Sequence, residues 1–315
     1  MTGALAFDDG SQAVRVRVPA KINLHLGVGD RRADGYHDLT TVYQGISLYD
    51  EVTVIAGQQP GVRVEVFGDD AEAVPLGTDN LAVKAVLALG EEFGVAPAVT
   101  VRIAKRIPIA GGLAGGSADA AAALVACSRL WGMPFTDRLV KVAAGLGSDV
   151  PFCLSGGTAL GTGHGERVEE VTANGRYHWV VATADGQLST PAVYAEVDRL
   201  RESGIGSYSS AVTELLEALR TGRAEELAPQ LRNDMTEAAM SLRPQLREIL
   251  TAGADDGALA ALLSGSGPTT LFLARDVHHA TALAGRLRMR RLAREVHCVH
   301  APAFVSVGLS PAQPG

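Results

Sequence analysis

The segment IPIAGGLAGGSADAAAAL (107–124) places four glycines, Gly111, Gly112, Gly115 and Gly116, directly before an alanine-rich helical pattern. Glycine lets the backbone approach a ligand closely and turns several N–H groups towards it. A helix opening at Ser117 adds free amides and the positive end of its dipole. Together these features describe an anion cradle of phosphate size; the alternative is a tight strand–helix turn whose glycines serve packing. Neither common phosphate signature is met. The G-x-G-x-x-G register is missing, and although Gly111 and Gly116 keep P-loop spacing, Ser117-Ala118 stands where lysine and a hydroxyl residue are required. A metal or a distant cation must therefore neutralise phosphates held there. Asp119, in the first helical turn, would repel a phosphate unless it is turned away or bridged by a cation.

Three other segments offer partners for such a cradle. In PAKINLHLGVGDRRADGYH (19–37), a period of two puts Lys21, Asn23 and His25 on one strand face, opposite Ile22 and Leu24. An ammonium, an amide and an imidazole in a row suit a site; an exposed polar strand face is the plain alternative. Only four of the 28 basic residues are lysines (Lys21, Lys84, Lys105 and Lys141), which fits a need for a compact ammonium at Lys21. Tyr36-His37, after the Asp34-Gly35 turn, is either a recognition pair or a hairpin packing pair. In GLGSDVPFCLSGG (145–157), Asp149 lies between small residues and an apolar Val-Pro-Phe, where a bare carboxylate is expensive to bury. Sequence alone favours a capping role for it, with a charge partner as the second reading. LLSGSGPTTLF (262–272) is a glycine loop running into a strand. Alone it is a turn; beside the first cradle it makes a second wall.

These segments need elements to position them. Apolar alternation predicts strands at 14–18, 22–28, 41–48, 50–55, 62–67 and 99–104. A helix capped by Asp79 or Asn80 runs to about Phe93, and a second spans Ser117 to about Trp131. Its stripe of Ala120, Leu124, Cys127 and Trp131 should face a sheet. Further on, WVVATA (179–184) reads as a buried strand, and Thr190-Pro191 as a cap with proline at the first helical position. Helical patterns at 210–220, 224–231, 235–242 and 244–252 precede a strand (269–274), a helix (277–291) and a final strand (295–300). Such alternation predicts an α+β sandwich. The segment GTGHGE (161–166) reads as a turn, and the tail after Val307 as frayed.

Composition narrows the classes. A length of 315 residues suits two domains, and 47% hydrophobic with 20% charged residues excludes global disorder. The N-terminus has neither a basic flank nor an apolar stretch of signal-peptide length, which predicts a cytoplasmic protein. A net charge of −7 is a poor profile for a nucleic-acid binder. The basic segment 285–297 has arginines all round a helix and no interleaved aromatics, so it reads as a solvated face. Cys127, Cys153 and Cys298 show no CxxC, which suggests neither a disulfide framework nor a zinc site. His297 and His300 match no metal pattern and read as structural.

In this order the four segments resemble the GHMP kinase superfamily, which includes galactokinase, homoserine kinase and mevalonate kinase. Its signature phosphate loop, of the Pro-x-x-x-Gly-Leu-Gly-Ser-Ser type, is matched by Pro108 through Ser117 in a longer, glycine-richer version. That version, with Pro-Ala-Lys-Ile-Asn-Leu and a downstream Arg-x-Asp-Gly-Tyr-His, is similar to the branch acting on a cytidyl diphosphate sugar alcohol. The likeness spans about residues 14 to 306. It implies an α+β, two-domain GHMP kinase fold. Residues 1–160 would form a ribosomal-protein-S5-domain-2-like α/β domain with the ATP loop and catalytic residues. Residues 161–315 would form a ferredoxin-like α+β sandwich. ATP would be the phosphoryl donor, with Mg²⁺, and the acceptor would be the 2-hydroxyl of the methylerythritol unit, in the non-mevalonate route to isoprenoid precursors. The implied partners are small molecules only, with no nucleic acid and no membrane, in a monomer or homodimer.

The same resemblance implies residue roles. Lys21 and Asp149 would be the catalytic pair, with Lys21 supplying the cation that the loop lacks. Asn23, Tyr36 and His37 would hold the cytidyl diphosphate, Tyr36 lying against the cytosine and Tyr194 of TPAVY (190–194) covering its other face. Pro108, Ala110, Gly111, Gly112, Leu113 and Ala114 would wrap the ATP phosphates, with Gly115, Gly116 and Ser117 at the helix start. Gly265, Ser266 and Gly267 would form the second wall, and Ser117 is also the implied Mg²⁺ contact. The chain departs from the pattern where alanine replaces glycine at Ala110 and Ala114, which suits the turn if their φ is negative. It departs again at Ala118-Asp119, where Ser-Asn is common, and at Tyr194, where phenylalanine is more familiar. Two rivals remain: a homoserine- or mevalonate-type kinase, opposed by the Arg-x-Asp-Gly-Tyr-His segment, and a silent sensor, opposed by the retention of Lys21 and Asp149.

Overall fold

The structure is a computed structural model describing residues 5–6, 12–68, 70–109, 111–206 and 208–308. The expected role of Ala110 and the frayed tail from residue 309 onwards lie outside the described residues. The chain opens with β1 (Leu5–Ala6) and two strands of 20 residues each, β2 (Gln12–Arg31) and β3 (His37–Ala56). Each merges two of the strands predicted from the sequence. Pro19 cannot donate to a ladder, and the register between β2 and β3 shifts between Pro19 and Ala20, so the strand bends without ending. The predicted hairpin turn forms between them: Gly35 takes φ +86°, and Arg32 N donates to Tyr36 O at 2.7 Å.

Next come β4 (Gly61–Phe67), α1 (Leu81–Phe93), β5 (Ala98–Ala104), α2 (Gly115–Leu130), α3 (Asp137–Leu146) and α4 (Val150–Cys153). Asn80, not Asp79, caps α1, its Oδ1 accepting from Ala82 N at 2.8 Å. Strands β6 (Thr158–Gly163) and β7 (Arg167–Glu170) form a hairpin around the turn read at 161–166. The division expected at residue 160 therefore falls inside β6, and the chain leaves this sheet only after Glu170.

The second half contains β8 (Tyr177–Thr183), α5 (Thr190–Glu202), α6 (Thr213–Thr221), α7 (Ala224–Leu227), β9 (Arg232–Asn233), α8 (Thr236–Leu242) and α9 (Gln245–Asp255). It ends with β10 (Ala260–Leu263), β11 (Thr270–Ala274), α10 (Val277–Arg290), β12 (Glu295–Ala301) and β13 (Ser306–Gly308). Thr190 is the first residue of α5, with Ser189 at the cap position, one place before the expected start.

Among the described residues, two sheets form. The larger has nine strands built on β2 and β3, whose length lets different halves take different neighbours. Residues 39–44 of β3 pair with β6, and residues 51–56 with β5. β13 pairs with the start of β2, and β9 runs parallel to its far half. The smaller sheet has the order β10-β11-β8-β12, all antiparallel, with α9 and α10 on one face. The element order β8, helices, β10, β11, α10, β12 gives the expected ferredoxin-like arrangement.

Period two along β8 joins the halves. Val180 and Ala182 face α9 and α10, while Trp179 and Val181 belong to the main core with β2, β3 and α2. Helix α2 is buried from Ala118 to Ser128, far beyond the predicted stripe, because it packs on both α1 and the large sheet. Small alanines allow that double approach. Trp131, the last residue of the stripe, is only half-buried.

Gly253 in α9 marks where helix and sheet come closest, since a Cβ there would penetrate the Phe272 ring. Alanine gains up to about 1 kcal/mol over glycine in a helix, but overpacking a core costs about 1–3 kcal/mol. Gly253→Ala should therefore lower stability by about 1–2 kcal/mol, read as a lower urea midpoint with an unchanged slope. A raised midpoint would show that α9 moves off the sheet freely.

Candidate active site

Lys21 is the point where the segments meet. Its side chain lies on the bent middle of β2, only 5% exposed. Nζ donates to Asn23 Oδ1 at 3.0 Å and to Gly112 O at 3.2 Å, and lies 3.5 Å from Asp149 Oδ2. The backbone follows: Lys21 N donates to Leu113 O at 3.1 Å, stitching the glycine loop to the strand. The exposed-strand reading of this face is overturned, because Lys21, Asn23 and His25 are all buried. They part at a register shift between Asn23 and His25. Asn23 Nδ2 turns to Thr41 Oγ1 at 2.8 Å, whereas His25 Nε2 meets Ser209 O at 3.0 Å and leaves the cleft.

Asp149 occupies the cap position of α4 but makes no capping hydrogen bond from its side chain. Its carboxylate faces Lys21, so the charge-partner reading replaces the cap that sequence alone favoured. Tyr43, from β3, places its ring 5.8 Å from Lys21 Nζ. Burial, reinforced by the charge of Asp149, pushes the Tyr43 phenol well above its ordinary range, so it stays protonated. Cys153 is buried beneath, and its thiol is pushed up by that burial, which makes it inert.

The glycine loop builds the wall beside Lys21. Helix α2 begins at Gly115, two residues before the expected start, so Gly115, Gly116 and Ser117 present the free amides of its first turn. Ala114 sits at φ +58°, so the condition under which alanine suits the turn, a negative φ, is not met. The chain must pass through the left-handed region to enter α2, at about 1–2 kcal/mol for a residue with a Cβ. Gly112, at φ +74°, lies so close to Ser264 O that a Cβ would collide with it. Ser264 Oγ donates to Gly112 O at 2.9 Å, so the two glycine loops are joined. Asp119 is turned away from the loop and bridged by a cation, its Oδ2 accepting from Lys105 Nζ at 2.9 Å.

These walls enclose a cleft of about 780 Å³. Lys21, Asn23, Tyr43 and Asp149 line its middle. Gly111, Gly112, Ala114 to Ser117, Gly265 and Ser266 line one end; Tyr36, His37, His164 and Tyr194 line the other. Pro108, Leu113 and Gly267 do not line it, and Leu113 is buried in the core. At the far end Tyr194 stacks on His37 at 5.0 Å and 18°, and His37 Nε2 is held by Asp198 Oδ1 at 2.8 Å. Tyr36 is 64% exposed and tilted against His164 at 4.9 Å. Burial raises the Tyr194 phenol to about 12.

Sequence reasoning missed Asn233. Its Nδ2 donates to Leu263 O and Gly265 O at 3.0 and 2.7 Å, and its Oδ1 accepts from Met235 N, which fixes the second glycine loop. No local pattern marks such a residue. No cluster of three or more His, Cys, Asp or Glu able to hold a metal occurs among the described residues.

The GHMP kinases N terminal domain matches residues 80–157, and the GHMP kinases C terminal domain matches residues 215–289. The chain is 51% identical over 292 residues to 4-diphosphocytidyl-2-C-methyl-D-erythritol kinase of Streptomyces avermitilis, covering 92% of this chain and 98% of that one. It is 52% identical over 295 residues to the enzyme of the same name from Salinispora tropica, covering 93% of each. A crystal structure of 4-(cytidine 5'-diphospho)-2C-methyl-D-erythritol kinase superposes with a TM-score of 0.74 at 33% identity, over 91% of this chain and 99% of that one. Homoserine kinase from Cytophaga hutchinsonii superposes at 0.72 with 18% identity, over 94% and 97%, a likeness of fold alone. No helix among the described residues is long and apolar enough to cross a membrane.

His25 offers a measurement away from the cleft. Burial lowers its pKa below the ordinary 6.5, despite the opposing hydrogen bond to Ser209. The folded chain keeps it neutral while the unfolded chain protonates it near 6.5, so stability falls as pH drops below that value, down to the lowered folded pKa. His178 and His300, also lowered by burial, share the effect. The thermal midpoint should fall between pH 7.5 and 5, and His25→Gln should reduce that slope without abolishing it. An unchanged slope would mean that His25 is protonated in the fold.

Proposed function

The chain belongs to the GHMP kinase family, with the 4-diphosphocytidyl-2-C-methyl-D-erythritol kinases, and on that footing we propose how its cleft performs the reaction. The activity is ATP-dependent phosphorylation of the 2-hydroxyl of 4-(cytidine 5'-diphospho)-2-C-methyl-D-erythritol, giving the 2-phosphate and ADP. The observation that carries the reading is the approach of Lys21 to Asp149 at 3.5 Å, beside the joined glycine loops. A homoserine- or mevalonate-type activity is not favoured, since the solved kinases of those names share only 18% identity with this chain.

Phosphoryl transfer depends mostly on alignment and charge neutralisation. The amides of Gly115, Gly116 and Ser117 and the α2 dipole receive the ATP phosphates, and Lys21 supplies the cation missing from the loop. Asp149 orients the acceptor hydroxyl and takes its proton as the new oxygen–phosphorus bond forms and ADP departs. Gly265 and Ser266 close the opposite wall. Magnesium fits a site whose hard donors are the Ser117 hydroxyl and the phosphates themselves, because Mg²⁺ takes few protein oxygens. It would supply charge neutralisation on the phosphates.

Asn23 holds Lys21 and faces the acceptor. Tyr36, exposed at the cleft mouth, stacks on the cytosine. Tyr194 is stacked on His37, so it bounds the base pocket together with that ring. Because Asp198 engages the ring Nε2 of His37, the backbone of His37 is the better partner for the cytosine amino group.

A coupled ADP-release assay with the cytidyl diphosphate acceptor, run beside homoserine and mevalonate, tests the reading; turnover of either alternative in place of the cytidyl substrate overturns it. Asp149→Asn should cut kcat by about two to four orders of magnitude, the range for losing a general base. Near-normal turnover would remove Asp149 from the chemistry. Tyr36→Ala should raise the KM of the cytidyl substrate and leave kcat nearly unchanged, because stacking acts alike in ground and transition states. A fall in kcat alone would refute the stacking.

A further inference from the structure

The buried cluster beneath the glycine loop is used by none of the steps above. Lys105 follows β5 and stands three residues before the loop's first proline, while Asp119 lies in the second turn of the helix leaving the loop. Both are nearly without solvent exposure, and Lys105 Nζ donates to Asp119 Oδ2 at 2.9 Å. The same ammonium donates to Asp50 Oδ2 in β3. Asp50 Oδ1 accepts from Arg106 N and Ile107 N at 2.6 and 2.8 Å, so the chain approaching the loop is pinned to the sheet. A Cβ at Gly115 would lie 3.1 Å from Lys105 Nζ, which places the ammonium directly under the first residue of α2. Burial alone would lower the pKa of Lys105, but the two carboxylates outweigh it and raise the pKa, so the ammonium stays charged.

We propose that the Lys105–Asp119 pair is a strut across the base of the phosphate loop, positioning the amides of Gly115, Gly116 and Ser117 for ATP. The two ends of the loop are joined to each other by this pair and to the sheet by Asp50. A loop spanned in this way has little freedom left to lose when phosphate binds. Lys105 and Asp119 touch neither substrate; they act through the loop and are positioning residues. The inference rests on the reading of 111–117 as the nucleotide loop.

Substitution separates positioning from folding. Asp119→Asn keeps an acceptor for Lys105 and should leave the KM for ATP close to that of the unaltered chain. The double substitution Lys105→Met and Asp119→Leu, made together with Asp50→Asn, removes every charge of the cluster, so no lone ion is buried, and the amide oxygen still accepts from the Arg106 and Ile107 amides. It should raise the KM for ATP about ten- to hundredfold, the scale of a displacement near 1 Å. The KM for the cytidyl acceptor should hold, and the protein should remain folded by urea titration. A folded triple variant whose KM for ATP stays within about twofold of the unaltered chain would overturn the strut. An equal rise in both KM values would overturn it too, as a general loosening. Should the triple variant fail to fold, Asp119→Ser in the otherwise intact chain is read by the same two constants. An unaltered chain that releases no ADP from ATP would bring down the kinase reading itself, and the strut with it.

Discussion

A buried ammonium is the constraint around which this molecule is arranged. Lys21 lies on an interior strand, and an ion so placed costs several kcal/mol unless its surroundings answer it. The answering groups come from far apart in the chain: Asn23 two residues on, Gly112 in the loop before α2, and Asp149 before α4. Each must reach the same point in space, so the loop, the short helix and the bent strand are mutually fixed. Asp149 retains more exposure than Lys21, 30% against 5%, so the carboxylate is the member of the pair open to a ligand.

Gly112 shows how the two halves of the chain are locked at this place. Its carbonyl accepts from Lys21 Nζ and from Ser264 Oγ, so one oxygen joins β2 to the second glycine loop. The second loop is held from behind by Asn233 and from the side by Ser266, which meets the Thr190 hydroxyl at 2.9 Å at the start of α5. Helix α5 also carries Tyr194 and Asp198, the residues that set the His37 ring. The two ends of the cleft are thus connected through a short run of hydrogen bonds.

Much of this was legible in the sequence, for identifiable reasons. Glycines before an alanine helix announce an amide-lined turn whatever the fold, and strand alternation places Lys21 beside Asn23 without tertiary knowledge. Asp119 was legible as a problem, a carboxylate at the start of a helix beside an amide-lined turn, and the structure answers it with Lys105. The failures share a cause: they depend on distant residues. Two strands were read where β2 is one, because bending at Pro19 without breaking depends on what β3 does opposite. For Ala114 only a condition was legible, that alanine suits the turn at negative φ, and its φ of +58° does not meet it. Asn233 was invisible because its partners are backbone carbonyls thirty residues on. The choice between recognition and hairpin packing for Tyr36-His37 stayed open because Asp198, which holds the His37 ring, lies 161 positions away.

Placing the cation on a strand and not in the glycine-rich loop has a physical consequence. A lysine carried by a glycine-rich loop must be ordered together with that loop, and its side chain holds about 2 kcal/mol of rotamer entropy. Lys21 has given up that freedom on folding, held by Asn23 and Gly112 within hydrogen-bonding distance. Charge stabilisation is strongest where dipoles and ions need no reorganisation as the reaction proceeds. The loop then needs only amides and can be built from glycine and alanine, while a rigid sheet positions the charge. That division also explains why the loop departs from P-loop chemistry at Ser117-Ala118: an ammonium there would duplicate one already fixed across the cleft.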